Sequence, residues 1–335
     1  MPFSPLLPCH RAIPSRKKAS VPSYAPEKGW KWMPTETGSK LNPREFIEVP
    51  LNVDSYKDVE KVINQLKPLN DNQIRELKKR LGNLTQTEAF MYALGSLVSD
   101  GTSQQANDST LSSSRLNIGL GKSYTWSENY GDATCLALGM IGIRAGRIRG
   151  EPPKVSSSLI ESSGKHRWQS QYSPLINWMR NHALGLKPSE LKTYDSIRAS
   201  WILEAPESWK IPFLQGVCDG DGCASVASQY LSIGTSANTE FFQDLLESMN
   251  IKSHEGDGAV AITSHESMKR AAEIGIFRYA TGRKENLIKL DSMMRTYDNS
   301  RELRSAEIAI VKEMRGQGKS WGKIAEELFD LFGYT

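Results

Sequence analysis

Two aspartates, each followed by glycine, are the residues of this chain best suited to do chemistry. Asp100-Gly101 and Asp221-Gly222 lie 121 positions apart, and each pair ends an apolar run. A carboxylate at the C-terminal end of a helix faces the negative end of the macrodipole, and two neighbouring carboxylates repel each other. A divalent cation bound by both removes this conflict, and carboxylate, main-chain oxygen and water ligands favour Mg²⁺. The two pairs therefore predict a metal site.

The apolar run before each aspartate has helical spacing. In the first run, Thr85 and Glu88 have the pattern of a capping box, and apolar residues then recur every three or four positions. Pro212 marks the predicted start of the second helix. Gly101 and Gly222 follow the last periodic residues, where a left-handed residue commonly ends a helix. Both aspartates are therefore expected at helix C-termini.

Each predicted helix carries a strip of small residues four positions apart. The strips are formed by Gly95 and Ser99 in the first helix and by Gly216 and Gly220 in the second. Glycine inside a helix costs about 1 kcal/mol relative to alanine, so two of them in one short helix require a packing reason. The strips predict two helices that approach each other closely.

The paired segments resemble the two LAGLIDADG motifs of the monomeric homing endonucleases. The resemblance is carried by residues 94–101 and 214–222. Aligned on their glycines, the two copies match at the last aspartate, which binds the catalytic metals in that family. The earlier motif aspartate is present as Asp219 in the second copy but is Val98 in the first. In that family the last aspartate is the essential one, so little harm is expected from Val98.

The resemblance implies an α/β (α+β) fold of two pseudo-symmetric half-domains, with antiparallel saddle-shaped sheets around a central two-helix interface. The sequence also repeats beyond the motifs in the order helix, two strands, helix, two strands, helix. A strand is predicted at residues 116–119 in the first half and at 231–234 in the second. The two halves are assigned to residues 85–197 and 198–297.

Three further segments flank the two halves. Residues 1–43 contain eight of the 16 prolines and are expected to be extended or disordered. Residues 44–84 are assigned to a helical extension, with a helix pair at 55–81. Residues 298–335 are assigned to a helical hairpin in which Ser320 caps the second helix. The hairpin, a remnant helix-turn-helix and a helix-turn-helix completed by a partner are the alternatives left open.

Long polar side chains at alternating strand positions favour contact with DNA. Leu116, Ile118 and Leu120 share one strand face, while Arg115 and Asn117 share the other. Trp168 and Tyr172 are expected to face away from the polar side chains of their own strand. Because a major groove admits a two-stranded ribbon, such side chains can reach phosphates and base edges. The predicted DNA-binding residues are Arg115, Asn117, Arg147, Arg149, Arg167, Gln169, Gln171, Tyr230, Ser232 and Arg283.

The resemblance also implies a basic group near each scissile phosphate, just after the last helix of each half. Lys192 and Lys284 occupy these places, with Arg283 as the alternative to the latter. Such cations would stabilise charge on the transferring phosphoryl group. The family further implies that the carbonyl before each motif aspartate faces the metal, which assigns Ser99 and Gly220 together with the two aspartates to the metal site.

Composition excludes some classes of function. The formal net charge of +4 is too small to argue for nucleic acid by itself. The four cysteines and five histidines form no zinc-ligand spacing, so no zinc is expected. The sequence contains no run of 18 apolar residues, and no membrane contact is expected. Reduced cysteines favour an intracellular protein of the cytoplasm or nucleoid, with an organelle left open.

The resulting functional prediction is a Mg²⁺-dependent, site-specific DNA endonuclease that makes a double-strand break in a long pseudo-palindromic site. Two motifs in one chain imply a monomer acting on double-stranded DNA. Two alternatives use the same fold. One is a DNA-binding regulator that does not cleave, and the other is a maturase that binds intron RNA.

Overall fold

The computed structural model describes most of the predicted core of the chain. Two residues of the predicted site, Arg149 and Lys192, lie outside the described residues. The described ranges are 27–34, 46–105, 113–121, 126–148, 165–186, 196–235 and 237–332.

The N-terminal region contains two strands and two helices. Strand β1 (Trp30–Pro34) pairs antiparallel with β2 (Phe46–Pro50), and helices α1 (Tyr56–Ile63) and α2 (Asn72–Leu81) follow. The helix pair agrees with the prediction. β1 lies in the segment expected to be extended or disordered. β2 lies in the extension expected to be helical, so that expectation is wrong at this strand. The reason is burial, because β2 alternates and places Ile47 in the core.

The first half follows with a motif helix, a four-stranded sheet and two covering helices. All neighbouring strands are antiparallel, and their order in the sheet is β3-β4-β6-β5. The elements are α3 (Gln86–Val98), β3 (Gly101–Gln105), β4 (Ser114–Gly121), α4 (Ser127–Met140), β5 (Ala145–Arg147), β6 (Lys165–Ser170) and α5 (Pro174–Trp178), which a π-helical turn (Met179–Ala183) continues.

The second half repeats this topology after a short leading helix. Its antiparallel sheet has the order β7-β8-β10-β9, which matches the order in the first half. The predicted α/β fold class with antiparallel sheets is therefore confirmed. The elements are α6 (Ser200–Glu204), α7 (Glu207–Asp221), β7 (Gly222–Ser225), β8 (Tyr230–Gly234), α8 (Thr239–Glu247), β9 (His254–Gly256), β10 (Ala259–Ile262) and α9 (His265–Ile274).

The motif helices α3 and α7 pack backbone against backbone, as their glycines predict. A Cβ atom on Gly95 would lie under 3.0 Å from the Phe213 carbonyl oxygen. In the same way, a Cβ atom on Gly216 would lie under 3.0 Å from the Tyr92 carbonyl oxygen. Since Tyr92 and Phe213 are themselves 121 positions apart, the contact is pseudo-symmetric. Only glycine, which has no Cβ atom, permits the backbones of the two helices to approach each other this closely.

Gly101 and Gly222 do not adopt the left-handed conformation that the sequence predicted. Gly222 has φ −77° and ψ 155°, and Gly101 is not among the described glycines with positive φ. Each is instead the first residue of a strand that leaves the motif helix. A Cβ on Gly101 would lie under 3.0 Å from the Ser96 carbonyl oxygen, and one on Gly222 equally close to that of Cys218. Glycine is needed for space, not for positive φ.

The predicted start of the second motif helix is also wrong. α7 begins at Glu207 with Pro206 as its N-cap residue, so Pro212 lies inside the helix. A proline within a helix removes one intrahelical hydrogen bond. The apolar periodicity of this region begins close to Pro212, which is why the sequence suggested a start there.

The N-terminal elements share the core of the first half. A Cβ on Gly139 of α4 would lie under 3.0 Å from Ile74 of α2, so these two helices also pack closely. Trp178 of α5 donates an indole hydrogen bond of 2.9 Å to the Pro50 carbonyl of β2. Val59 of α1 is fully buried in the same cluster. Residues 46–81 therefore pack as part of the first half.

The C-terminal region consists of two helices, α10 (Thr281–Gly316) and α11 (Trp321–Phe332). α10 continues through position 297, where the predicted boundary of the second half falls. Ser320 caps α11 as predicted, because its hydroxyl accepts from the Lys323 amide at 3.4 Å. Met314 and Ile324 are buried where the helices join. No helix in the described ranges combines the length and the apolarity needed to cross a membrane.

Candidate functional site

The fold brings the two predicted aspartates to the same end of the motif-helix pair. Asp221 is the last residue of α7, and Asp100 lies between α3 and β3. Burial and the negative charge of Asp100 raise the pKa of Asp221 to about 7, while the Arg283 guanidinium acts in the opposite direction. The charge of Asp100 therefore disfavours ionisation of Asp221, which is the conflict that a divalent cation would relieve.

The chemistry of this pair fits a hard divalent ion held partly by water. Two carboxylates are few ligands for an all-protein site, and Mg²⁺ commonly keeps several waters beside one or two carboxylates. Among the residues that the structure describes, no group of three or more His, Cys, Asp or Glu side chains is placed to hold a metal.

In metal-free solution, the protein should lose stability as the pH rises from about 4 to about 7. The pKa of Asp221 is raised from 3.8 to about 7, so its contribution is complete below about pH 4 and is lost as the pH rises through 7. Thermal unfolding in EDTA across this range, compared between wild type and Asp221→Asn, measures the effect. The variant should lack this part of the decline; the same pH dependence in both proteins would contradict the burial of a repelled carboxylate.

The carbonyl group of Gly220, predicted to face the metal, has a different partner. Arg283 Nη1 lies 2.6 Å from the Gly220 carbonyl oxygen and 2.6 and 3.0 Å from those of Asp219 and Cys218. These carbonyls lie in the last turn of α7, where a cation is favoured, and that of Cys218 also accepts from the Gly222 amide. The Ser99 hydroxyl lies 3.0 Å from that of Tyr130. The Gly220 carbonyl thus accepts from Arg283 in this structure, and the assignment of Gly220 and Ser99 to the metal site stays a prediction.

Arg283 is the basic residue that, among those the structure describes, lies beside Asp221. Its guanidinium carbon lies 4.0 Å from the centroid of the Trp126 ring, which belongs to the first half. Arg283 was predicted both as a DNA contact and as the alternative to Lys284. Lys284 is exposed on the first turn of α10. The charge that acts on Asp221 is therefore that of Arg283.

Asp219 is a buried residue of the site that was not among the residues predicted to form it. Its carboxylate is fully buried, and burial raises its pKa to about 6. Oδ1 accepts from the amides of Arg278 (3.0 Å) and Ala280 (3.1 Å), and Oδ2 accepts from the Tyr279 amide and the Tyr92 hydroxyl (both 2.8 Å). Asp219 thus anchors the chain at the start of α10. The signal in the sequence was an aspartate present in one motif copy and absent from the other.

The outer face of the first sheet carries four of the predicted DNA-binding residues. β4 alternates as predicted, with Leu116, Ile118 and Leu120 buried. The strand register pairs Asn117 with Gln169, whose side chains are joined by a 2.6 Å hydrogen bond. The residues on the opposite, outward face are Arg115, Asn117, Arg167 and Gln169.

A β-bulge changes the face of Tyr172. Asn117 pairs with Gln169, but Ser114 bridges to Ser173, so one extra residue lies on the β6 side between these pairs. Tyr172 consequently lies beside Arg115, whose guanidinium carbon is 4.9 Å from the ring centroid. The expectation that Tyr172 faces away from the polar residues is wrong. Gln171 lies at the bulge, and its amide nitrogen is buried.

Arg147 lies on the helix-covered face of the sheet, contrary to the prediction. It pairs with Trp168, which is buried under α4, and its guanidinium carbon lies 5.7 Å from the Trp168 ring centroid. Arg147 Nη1 also forms a 2.8 Å ion pair with Glu128 of α4. Register, which local sequence does not reveal, decides the face. Arg147 is therefore removed from the predicted DNA contacts.

The outer face of the second sheet carries hydroxyl and thiol groups without arginine or lysine in its paired strands. Tyr230 and Ser232 lie outward on β8, as predicted. Ser232 pairs with the exposed Cys223, and Ala261 pairs with the exposed His254. The two sheets therefore present unlike surfaces, of which the first is cationic and the second is largely neutral.

Comparison with known proteins gives a distant structural likeness. No protein-family model and no curated protein matches the sequence. Solved structures of the homing endonuclease I-DmoI do match. Its mesophilic variants are 13% identical, with a TM-score of 0.39, and cover 56% of this chain and 96% of theirs. A complex of I-DmoI with DNA and Mn is 13% identical, with a TM-score of 0.38, and covers 57% and 97%. Over slightly more than half its length, the chain is thus similar to a two-motif LAGLIDADG homing endonuclease.

Proposed function

We propose that this protein is a site-specific DNA endonuclease that uses a divalent metal, Mg²⁺ by ligand type, to cut both strands of a long duplex site. The observation that carries the proposal is the carboxylate pair Asp100 and Asp221 at the C-terminal ends of two closely packed helices. Each aspartate is followed at once by the first strand of a sheet whose outer face is polar. Each proposed catalytic aspartate is therefore followed directly in the chain by a strand of a proposed DNA-binding sheet.

One group of residues would bind DNA, and another would hold the metal ion and take part in cleavage. Arg115 and Arg167 would pair with phosphates or guanine edges, and Asn117 and Gln169 have the groups that recognise adenine. Asp100 and Asp221 would hold the metal, which when bound supplies a Lewis acid and an activated water. Arg283 would keep a positive charge beside Asp221, where it offsets part of the carboxylate repulsion.

The two unlike sheets favour an asymmetric target read by one chain. A monomer with two half-domains does not require a palindrome, unlike a symmetric dimer. The cationic first sheet would supply most of the salt-dependent affinity, while the hydroxyl groups of Tyr230 and Ser232 would make the weaker contacts of the second. We place the protein inside the cell, where its free cysteines stay reduced.

Replacing Arg167 by glutamine should weaken DNA binding and lower the salt dependence, because its exposed guanidinium is on the outward face. Removal of one phosphate contact reduces the slope of log K against log salt concentration by about 0.9. Titrations by fluorescence anisotropy at several salt concentrations measure this slope. Arg147→Gln is the matched control, since Arg147 lies on the helix-covered face and pairs with Glu128. An unchanged slope for Arg167→Gln, or equal changes in both variants, would contradict the assigned faces.

The proposed function is tested by selection from a randomised duplex library, with structured RNA as competitor. One enriched DNA sequence, bound despite excess RNA and nicked on adding Mg²⁺, is the expected result. Enrichment without nicking would support a regulator that binds through the same surfaces, to which the C-terminal α10–α11 hairpin could contribute. Preferential retention of RNA would instead support the maturase alternative.

A further inference from the structure

We propose that Asp219 is a positioning residue that fixes Arg283 beside Asp221, and that this makes the two halves of the site chemically unequal. The inference rests on the proposed endonuclease function. It concerns how one half of the site is built, and nothing in the motif resemblance assigns it.

The first link is the buried carboxylate. Asp219 is fully buried and receives the amides of Arg278, Tyr279 and Ala280 at 2.8 to 3.1 Å. Three consecutive amides bound to one carboxylate define the position and direction of the chain where α10 begins. Because hydrogen bonds to a charged acceptor are about twice as strong as neutral ones, this anchor is firm.

The second link is the first turn of α10. Arg283 lies three residues after Ala280, so its Cα position follows from the anchored start of the helix. From there its guanidinium reaches the last carbonyls of α7, with Nη1 at 2.6 Å from the Gly220 oxygen. Asp219 therefore contacts this segment twice. Its main-chain carbonyl, at the end of α7, accepts from Arg283, and its side chain fixes the start of α10, from which Arg283 extends.

The third link is a contact with the other half. Trp126, at the start of α4, lies against the Arg283 guanidinium at 4.0 Å from ring centroid to guanidinium carbon. Arg278 also reaches across, with an ion pair of 3.0 Å to Glu88 of α3. A planar guanidinium between carbonyl oxygens and an indole ring has little freedom to move. The charge is therefore fixed in place before any DNA binds.

The first motif copy has no equivalent of this anchor. Val98 occupies the position that corresponds to Asp219, and its side chain cannot accept backbone hydrogen bonds. The first half therefore cannot fix a basic residue beside Asp100 in the same way. The cut that depends on Asp221 should accordingly respond to changes at Asp219, and the other cut should not.

The test is strand-resolved cleavage of a selected target labelled differently on each strand. Asp219→Asn, which keeps the shape but weakens the anchor, should slow one strand by about 100-fold, as expected for a misplaced catalytic group. The other strand should change by less than about threefold, because its site lacks the anchor. Arg283→Ala should slow the same strand, and the double variant should be no slower than Arg283→Ala alone.

Two further variants separate positioning from general destabilisation. Ala280→Pro removes the backbone N–H that donates a hydrogen bond to Asp219. The φ of Ala280 is −74°, which proline adopts, so this variant should slow cleavage of the same strand to a smaller extent. Tyr92→Phe removes the hydroxyl bonded to Asp219 but leaves the three amides, and both strands should be cut at the wild-type rate. Equal slowing of both strands by Asp219→Asn, or full additivity with Arg283→Ala, would overturn the proposal.

A second readout does not require cleavage. In protein labelled with 5-fluorotryptophan, the ¹⁹F resonance of Trp126, identified by its loss in Trp126→Phe, should shift in both Asp219→Asn and Arg283→Ala. It should stay in place in Tyr92→Phe. An unmoved resonance in Asp219→Asn would overturn the positioning role even if the wild type cuts DNA. The expected shifts in a protein that cuts no DNA would instead locate the failure in the proposed function.

Discussion

Replacing either Asp100 or Asp221 by asparagine should abolish double-strand cleavage and leave DNA binding largely intact. Loss of one preorganised charged group at a reacting phosphate is expected to slow the chemical step by more than about 100-fold. Binding should persist because the proposed DNA contacts lie on the outward faces of the two sheets and do not include the aspartates. Single-turnover cleavage and equilibrium binding, measured on one selected duplex with Mg²⁺ for cleavage and EDTA for binding, separate the two effects.

The matched control for these variants is Asp244→Asn. Asp244 is exposed on α8, and its substitution should change neither cleavage nor binding. A wild-type cleavage rate for either Asp100→Asn or Asp221→Asn would mean that the carboxylate pair does not hold the metal. Lost binding in these variants would mean that the aspartates serve the fold.

Gly95→Ala should destabilise the protein by about 3 kcal/mol, the upper end of the usual cost of overpacking. The added methyl group would lie under 3.0 Å from the Phe213 carbonyl oxygen, and helix backbone cannot move aside as a side chain can. Gly216→Ala should behave alike, because its methyl group would meet the Tyr92 carbonyl oxygen. The midpoint of urea unfolding, monitored by circular dichroism, measures the loss.

Gly119→Ala is the control for the interface variants. A Cβ at Gly119 would meet nothing within 4 Å, so this variant should be as stable as wild type. Separation of the two helices would also displace Asp100 relative to Asp221, so Gly95→Ala should lose cleavage at temperatures where it is still folded. Equal stability of Gly95→Ala and Gly119→Ala would contradict the close helix approach.

The sequence predicted the motif helices and their packing because the responsible signals are local. Thr85 and Glu88 form the capping box, in which the Thr85 hydroxyl accepts from the Glu88 amide and the Glu88 carboxylate accepts from the Thr85 amide. The glycine spacing gave the contact surface, and the alternation of β4 gave its buried face. Each of these features depends on residues within a few positions of one another.

The faces of Arg147 and Tyr172 could not be predicted in this way. Arg147 faces the helices because β5 pairs with β6 in a register that places it beside Trp168. Tyr172 faces outward because a bulge adds one residue between two strand pairs. Register and bulges are set by tertiary packing, and a shift of one residue reverses the face of a side chain.

The roles of Asp219 and Arg283 were also beyond local reasoning. Asp219 meets the amides of residues 278–280, about 60 positions later in the chain, and no short spacing signals this contact. Arg283 was recognised as basic and near a helix start, but its partners are the end of α7 and Trp126. Both residues connect segments that become neighbours only in the folded chain.

The most direct test of an endonuclease built on Asp100 and Asp221 is cleavage of a randomised duplex library in Mg²⁺. Wild type and the Asp100→Asn, Asp221→Asn double variant would be run in parallel, and the ends of all products sequenced. Double-strand breaks at one defined sequence, produced by wild type alone, are the expected result. Identical products from both proteins, or specific binding without breaks in either, would contradict a catalytic role for the two carboxylates.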